Sequence, residues 1–224
     1  MITDTVSFIT SITIIALYHL YRLLLVRNNP FCSIKTVNIK AREAWVDNIM
    51  SGGPGKDILA VQTLRNSTMS ATFFASTAIL LVLGVLNLLH TESKEPIAVF
   101  DTLRRRLTDG DIDTIKLLVL LVELLLTFFW FSLAVRMYNH VGFLINSSNS
   151  KYTFPPDFVA ELLNRGGRYY SLGMRTYYLS WPVLFWLFGP IYLLAGTIGL
   201  IILLYHADRA PDVELLEIVL NDNE

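Results

Sequence analysis

The chain has 224 residues, of which 53% are hydrophobic and only 17% charged, against about a quarter charged in an ordinary soluble domain. Mean hydropathy is +0.49 and net charge is -1, so no global basic field attracts nucleic acid, and long apolar runs point to lipid as the solvent. A single cysteine, Cys32, excludes an internal disulfide.

In chain order, the first apolar run extends from Thr5 to Val26. No lysine or arginine precedes it, whereas Arg22 and Arg27 lie at its far end. That is the reverse of a cleaved signal peptide, so it reads as a retained span. Val37, Ala41, Ala44, Trp45 and Ile49 recur at helical spacing. They predict an amphipathic helix over 36–50 that rests on the inner membrane surface through Trp45. Ser51 to Gly55 breaks it, and Asp57 caps a helix that runs into a second span, Met69 to Leu89. The Gly52–Lys56 stretch only faintly resembles a phosphate loop, because Asp57 stands where such a loop needs Ser or Thr. A third span, Leu117 to Val135, contains one charge, Glu123. Asn146 to Ser150 is a polar linker, and Pro156 to Asn164 a short helix with Gly166 and Gly167 as its stop. Tyr169, Tyr170, Tyr177, Tyr178 and Trp181 form an aromatic belt before a fourth span, Trp181 to Tyr205, which Pro182 and Pro190 should bend.

The reading is therefore all-α: an integral membrane bundle of about four transmembrane helices, with interfacial helices in the cytoplasmic loops. Residues 1–206 form a single membrane domain with spans at about 5–26, 69–89, 117–135 and 181–205, and residues 207–224 are an acidic C-terminal tail. Loops one and three carry eleven lysines and arginines, and the opposite side carries six, including Arg104–Arg106 and Arg209. By the positive-inside rule this places both termini outside the cytoplasm, in the cell membrane, or the inner membrane if bacterial.

Polar residues in a span normally face other helices or a cavity. Gln62, Asn66, Met69, Phe73, Ser76, Leu80, Leu83, Asn87 and His90 alternate by four and three, and predict an inward polar seam on the second span. Glu123 enters from the outer side, and Asn87, Ser11 and Thr197 sit at comparable depth on other spans. These four form the candidate intramembrane polar site. A second set lies at the inner ends of the helices: Arg65 with Gln62 and Asn66, Arg136 with Asn139, then Arg165 and Arg175. Arginine forks suit phosphate or carboxylate, so these are candidate contacts for anionic headgroups or solutes; the alternative is positive-inside anchoring. Ala195 and Gly199, with Gly196 beside them, are small residues that favour close helix packing. Neither a zinc motif nor a Cys-x-x-Cys is present, so no metal or cofactor is expected.

Several segments in order carry a family resemblance: Arg42-Glu-Ala-Trp45-Val46, Ala60-Val61-Gln62-Thr63-Leu64-Arg65-Asn66 and Phe73-Phe74-Ala75-Ser76-Thr77. It continues through Phe131-Ser132-Leu133-Ala134-Val135-Arg136 with Asn139, Asn164-Arg165-Gly166, Gly173-Met174-Arg175-Thr176-Tyr177-Tyr178 and Trp186-Leu187-Phe188-Gly189-Pro190. The chain resembles a membrane family catalogued as domain of unknown function 599, with bacterial and plant branches. The resemblance implies a multi-pass membrane protein and supplies no activity or catalytic residue. No catalytic constellation stands out, so the expectation is a non-enzymatic scaffold, accessory or lipid-contacting protein. The competing expectation is a small oligomeric channel or transporter using Glu123. Partners are the lipid bilayer, and a homo-oligomer or membrane-complex partner is left open; nucleic acid is not expected.

Overall fold

The computed structural model describes residues 2–28, 33–53, 55–90, 111–145 and 154–209. Cys32, Arg104–Arg106, the Asn146–Ser150 linker and all but the start of the acidic tail lie outside them, as does the His90 side chain. Six helices are described: α1 (Ile2–Asn28), α2 (Ile34–Met50), α3 (Lys56–His90), α4 (Ile112–Leu144), α5 (Pro156–Trp186) and α6 (Pro190–Asp208). Four of them, α1, α3, α4 and α6, are long and apolar enough to cross a membrane.

Local chemistry sets the helix ends. Ser33 caps α2, its hydroxyl accepting from the Lys35 amide at 3.4 Å, and Asp111 caps α4 by accepting from the Asp113 amide and the Thr114 hydroxyl. Gly52, Gly53 and Gly55 have positive φ and turn the chain from α2 into α3, as the sequence predicts. Pro156 and Pro190 each occupy a first helical turn, where a missing amide costs nothing.

The packing defines two ends of the bundle. At one end, Lys116 near the start of α4 lies 3.5 Å from Asp4 of α1 and 5.6 Å over the ring of Trp186, the last residue of α5. Phe8 stacks on the same Trp186. At the other end, Asp208 at the close of α6 pairs with Arg22 of α1, and Ser33 bridges to Arg209. Here Ala60 and Leu64 of α3, Tyr138 and Val141 of α4, and Val159 and Leu163 of α5 share one core with Val46 and Ile49 of α2. Thus α5, 31 residues and about 46 Å long, lies antiparallel against α4 from end to end, and α6 returns beside α1.

This corrects the expected fourth span. Residues 181–205 are two helices, not one: the chain turns at Leu187–Gly189, where Gly189 has φ +137°. The described chain consequently runs along the bundle five times, and its described ends, Ile2 and Arg209, lie at opposite ends of the bundle.

Gly166 and Gly167 do not stop a helix either. They lie inside α5, where a Cβ on Gly166 would meet the Tyr138 ring at 2.9 Å and one on Gly167 the Arg42 guanidinium at 2.5 Å. These glycines serve close approach. Gly173 does the same against Phe131, whose ring would lie 3.0 Å from an added Cβ and is itself fully buried. Gly173→Ala should therefore destabilise the protein by about 1–3 kcal/mol. Gly142→Ala on α4, with nothing within 4 Å, should not. Thermal unfolding in detergent compares the two, and equal midpoints would reject a tight α4–α5 contact.

The predicted seam of α3 faces the other way. Gln62, Asn66, Met69, Phe73, Ser76, Leu80, Leu83 and Asn87 are all exposed, and the buried stripe is Ala60, Leu64, Ala71, Ala75, Ala78, Val82, Val85 and Leu89. Alanine lets α3 approach the large rings and leucines of α4, which outweighs polarity in choosing the face. On α2, Val46 and Ile49 are buried and Trp45 is half-buried against the protein core, while Ala41 and Ala44 are exposed. Trp45 is thus engaged by protein on one side.

Candidate functional site

The sequence-predicted residues separate. Of the intramembrane set, Ser11 is buried on α1 and Thr197 on α6, while Asn87 is exposed on α3. Thr197 donates its hydroxyl to its own helix, at the Leu193 carbonyl 2.8 Å away. Glu123 is half-buried on α4, and its Oε2 is a buried atom with no hydrogen-bond partner among the described residues. Ser11 Oγ and Trp186 Nε1 are likewise buried and unpartnered among them. A common register links Glu123 and Ser11. Lys116 and Asp4 pair across α4 and α1, which run in the same direction, and Glu123 and Ser11 each follow seven residues later on the same helical face. Both therefore lie about 10 Å below that ion pair.

Of the anionic-contact set, Arg65, Gln62, Arg136, Asn139 and Arg165 are exposed and do not converge. Arg175 converges elsewhere, donating to Asp208 Oδ1 at 2.8 Å and Oδ2 at 3.0 Å. The same carboxylate accepts from Arg22 and, at 3.1 Å, from the Tyr18 hydroxyl. Arg22 also reaches the Ser33 hydroxyl at 3.2 Å. This cluster joins α1, α5 and α6 and holds two cations on one anion. Sequence reading missed it, having placed Asp208 in a solvated tail.

Of that set, Asn66 alone lines a polar groove among the described residues. This groove of about 540 Å³ lies where α2 crosses α3 and α5, and its walls include Asn38, Arg42, Trp45, Thr63, Asn66, Ser67, Ser70, Tyr138 and Tyr170. Arg42 is the one charge among its described lining residues. The guanidinium rests on the bare backbone of Gly167 and donates to Asn164 Oδ1 at 3.3 Å. Asn164 is itself buried and held from its amide side by Glu43 Oε1 at 3.5 Å, while Glu43 Oε2 takes Lys40 at 2.9 Å. Among the described residues Arg42 has no carboxylate partner. Burial lowers its pKa from the ordinary arginine value; Tyr138 opposes the shift and Arg168 adds to it. An anion in the groove would relieve that cost. The sequence signal available was Gly166-Gly167 beside Asn164: two consecutive glycines inside a helix mark a place where another chain element comes close.

Among the described residues, no three histidine, cysteine, aspartate or glutamate side chains come together as a metal site. A family model described as "Protein of unknown function, DUF599" matches residues 6–213, so the chain belongs to that family. No curated protein and no solved structure matches it.

Proposed function

We propose that this member of the DUF599 family is a non-enzymatic membrane protein that contacts lipid through its basic end, serving as a scaffold or accessory component of the membrane. The observation that carries this reading is Arg42: a partly buried cation with only a neutral amide partner, in a groove at the level where α2 meets the bundle. Among the described lysines and arginines, Lys116 lies at the far end of the bundle and Arg175 near its middle, and the others lie toward the end that bears this groove. The positive-inside rule then assigns the groove end to the cytoplasm.

The register-matched Glu123 and Ser11 favour a second reading, a small channel or transporter. A buried carboxyl oxygen without a partner is costly in a span and is often retained to carry a proton or cation. Liposomes holding the purified protein and a pH- or potassium-sensitive dye separate the two. The lipid-contacting reading expects flux equal to protein-free vesicles and no change in Glu123→Gln. Flux that Glu123→Gln abolishes would overturn it in favour of transport.

A further inference from the structure

We infer that the groove beneath α2 is a binding site for a phosphate group, with Arg42 as its anchoring cation and Asn38, Asn66, Ser70 and Tyr138 as surrounding donors. The inference deepens the lipid-contacting reading, on which it rests. Three observations converge on it. The guanidinium is fixed in place: Gly167 leaves room behind it, and the Asn164 carbonyl, oriented by Glu43, accepts one of its bonds. Its remaining donors have no anion among the described residues, because Glu43 is engaged by Lys40 and Glu161 by Arg168 at 2.7 Å. The walls around it are amides and hydroxyls from three further faces: Asn38 on α2, Asn66 and Ser70 on α3, and Tyr138 on α4. A planar fork backed by several neutral donors matches a tetrahedral oxyanion, which offers several acceptor oxygens in different directions. The Trp45, Leu64 and Leu163 walls give an apolar border beside the polar one, the combination that a lipid headgroup and its glycerol region require.

The shared chemistry is a phosphate ester or free phosphate, and the test distinguishes its source. Full-length protein, delipidated in a phosphate-free detergent, is titrated with dioleoylphosphatidylglycerol, dioleoylphosphatidylcholine and inorganic phosphate, and bound species are counted by native mass spectrometry. Wild type should retain phosphatidylglycerol at least tenfold better than Arg42→Gln, while Arg27→Gln, an exposed arginine outside the groove, should match wild type. Displacement of that lipid by millimolar inorganic phosphate would identify a soluble phosphate compound as the occupant and keep the site. Binding by Arg42→Gln equal to wild type, or an equal loss in Arg27→Gln, would overturn the proposal. If Arg42→Gln fails to fold, Asn66→Leu, an exposed change that fills the mouth of the groove, should give the same tenfold loss, and wild-type binding there would also overturn it. Loss of headgroup selectivity refutes the ligand assignment alone, whereas Glu123-dependent flux refutes the broader reading alone.

Discussion

Asp208→Asn is expected to destabilise the protein by about 2–3 kcal/mol. The carboxylate accepts from Arg22, Arg175 and Tyr18 at once, and so ties α1, α5 and α6 together by polar contacts. An asparagine keeps one acceptor oxygen but leaves two guanidinium groups facing each other. Removing one partner of a fully buried ion pair costs about 3–5 kcal/mol, because the survivor stays desolvated. Side-chain exposures of 14% for Arg22, 16% for Asp208 and 27% for Arg175 put this site just below that range. For a chain of this size the unfolding midpoint should fall by roughly 4–12 °C. Asp113→Asn is the matched control: Asp113 also pairs with a cation, Lys116, at 2.9 Å, but its side chain is 77% exposed, so the change should cost less than about 1 kcal/mol. Adding Arg175→Gln to Asp208→Asn should recover part of the loss by removing one unpaired charge. Equal midpoints for Asp208→Asn and wild type would show that the cluster does not fasten α6 to the bundle.

How much of this was legible follows from which signals are local. Uninterrupted apolar runs made α1, α3 and α4 visible, with Glu123 as the one charge in the core of α4. The Gly52–Gly55 turn was also legible, because its glycines are needed for positive φ. The helix α5 was not. Arg165, Arg168 and Arg175 interrupt its apolar residues, and its Gly166-Gly167 pair looks like a stop until the rings of α4 are set against it. The turn at Gly189-Pro190 did carry a local signal, glycine followed by proline at a first helical position. It was masked by Phe185, Trp186, Leu187 and Phe188 on one flank and Ile191 to Leu194 on the other, which read as one apolar run. Heptad spacing identified positions of α3 that share a face and could not tell which face packs. The Asp208 cluster joins residues 186 and 33 positions apart, so no local pattern announces it. Arg42 was visible as a charge on an amphipathic helix, but its lack of a carboxylate partner is a property of the packed bundle.

The second large effect concerns topology, where the outcome is all-or-none. We expect α5 to cross as a separate traversal, which puts Arg209 at the end that holds Arg22, Arg27, Lys35, Arg42, Lys56, Arg65 and Arg136. By sequence, thirteen of the 18 lysines and arginines then belong to that end or to the segments joining helices there, against five at the other: Lys116 and the four between α3 and α4. On this expected path the positive-inside asymmetry is thirteen to five, against eleven to six on the four-span reading. The expected arrangement is an N-terminus outside the cytoplasm and a C-terminus within it. A compartment-specific reporter fused after Glu224, compared with one fused ahead of Met1 and one inserted in the α2–α3 turn, measures this directly. The five-traversal bundle predicts that the Glu224 fusion reports the same compartment as the α2–α3 insertion and the opposite compartment from the Met1 fusion; a Glu224 fusion that shares the compartment of the Met1 fusion would contradict it.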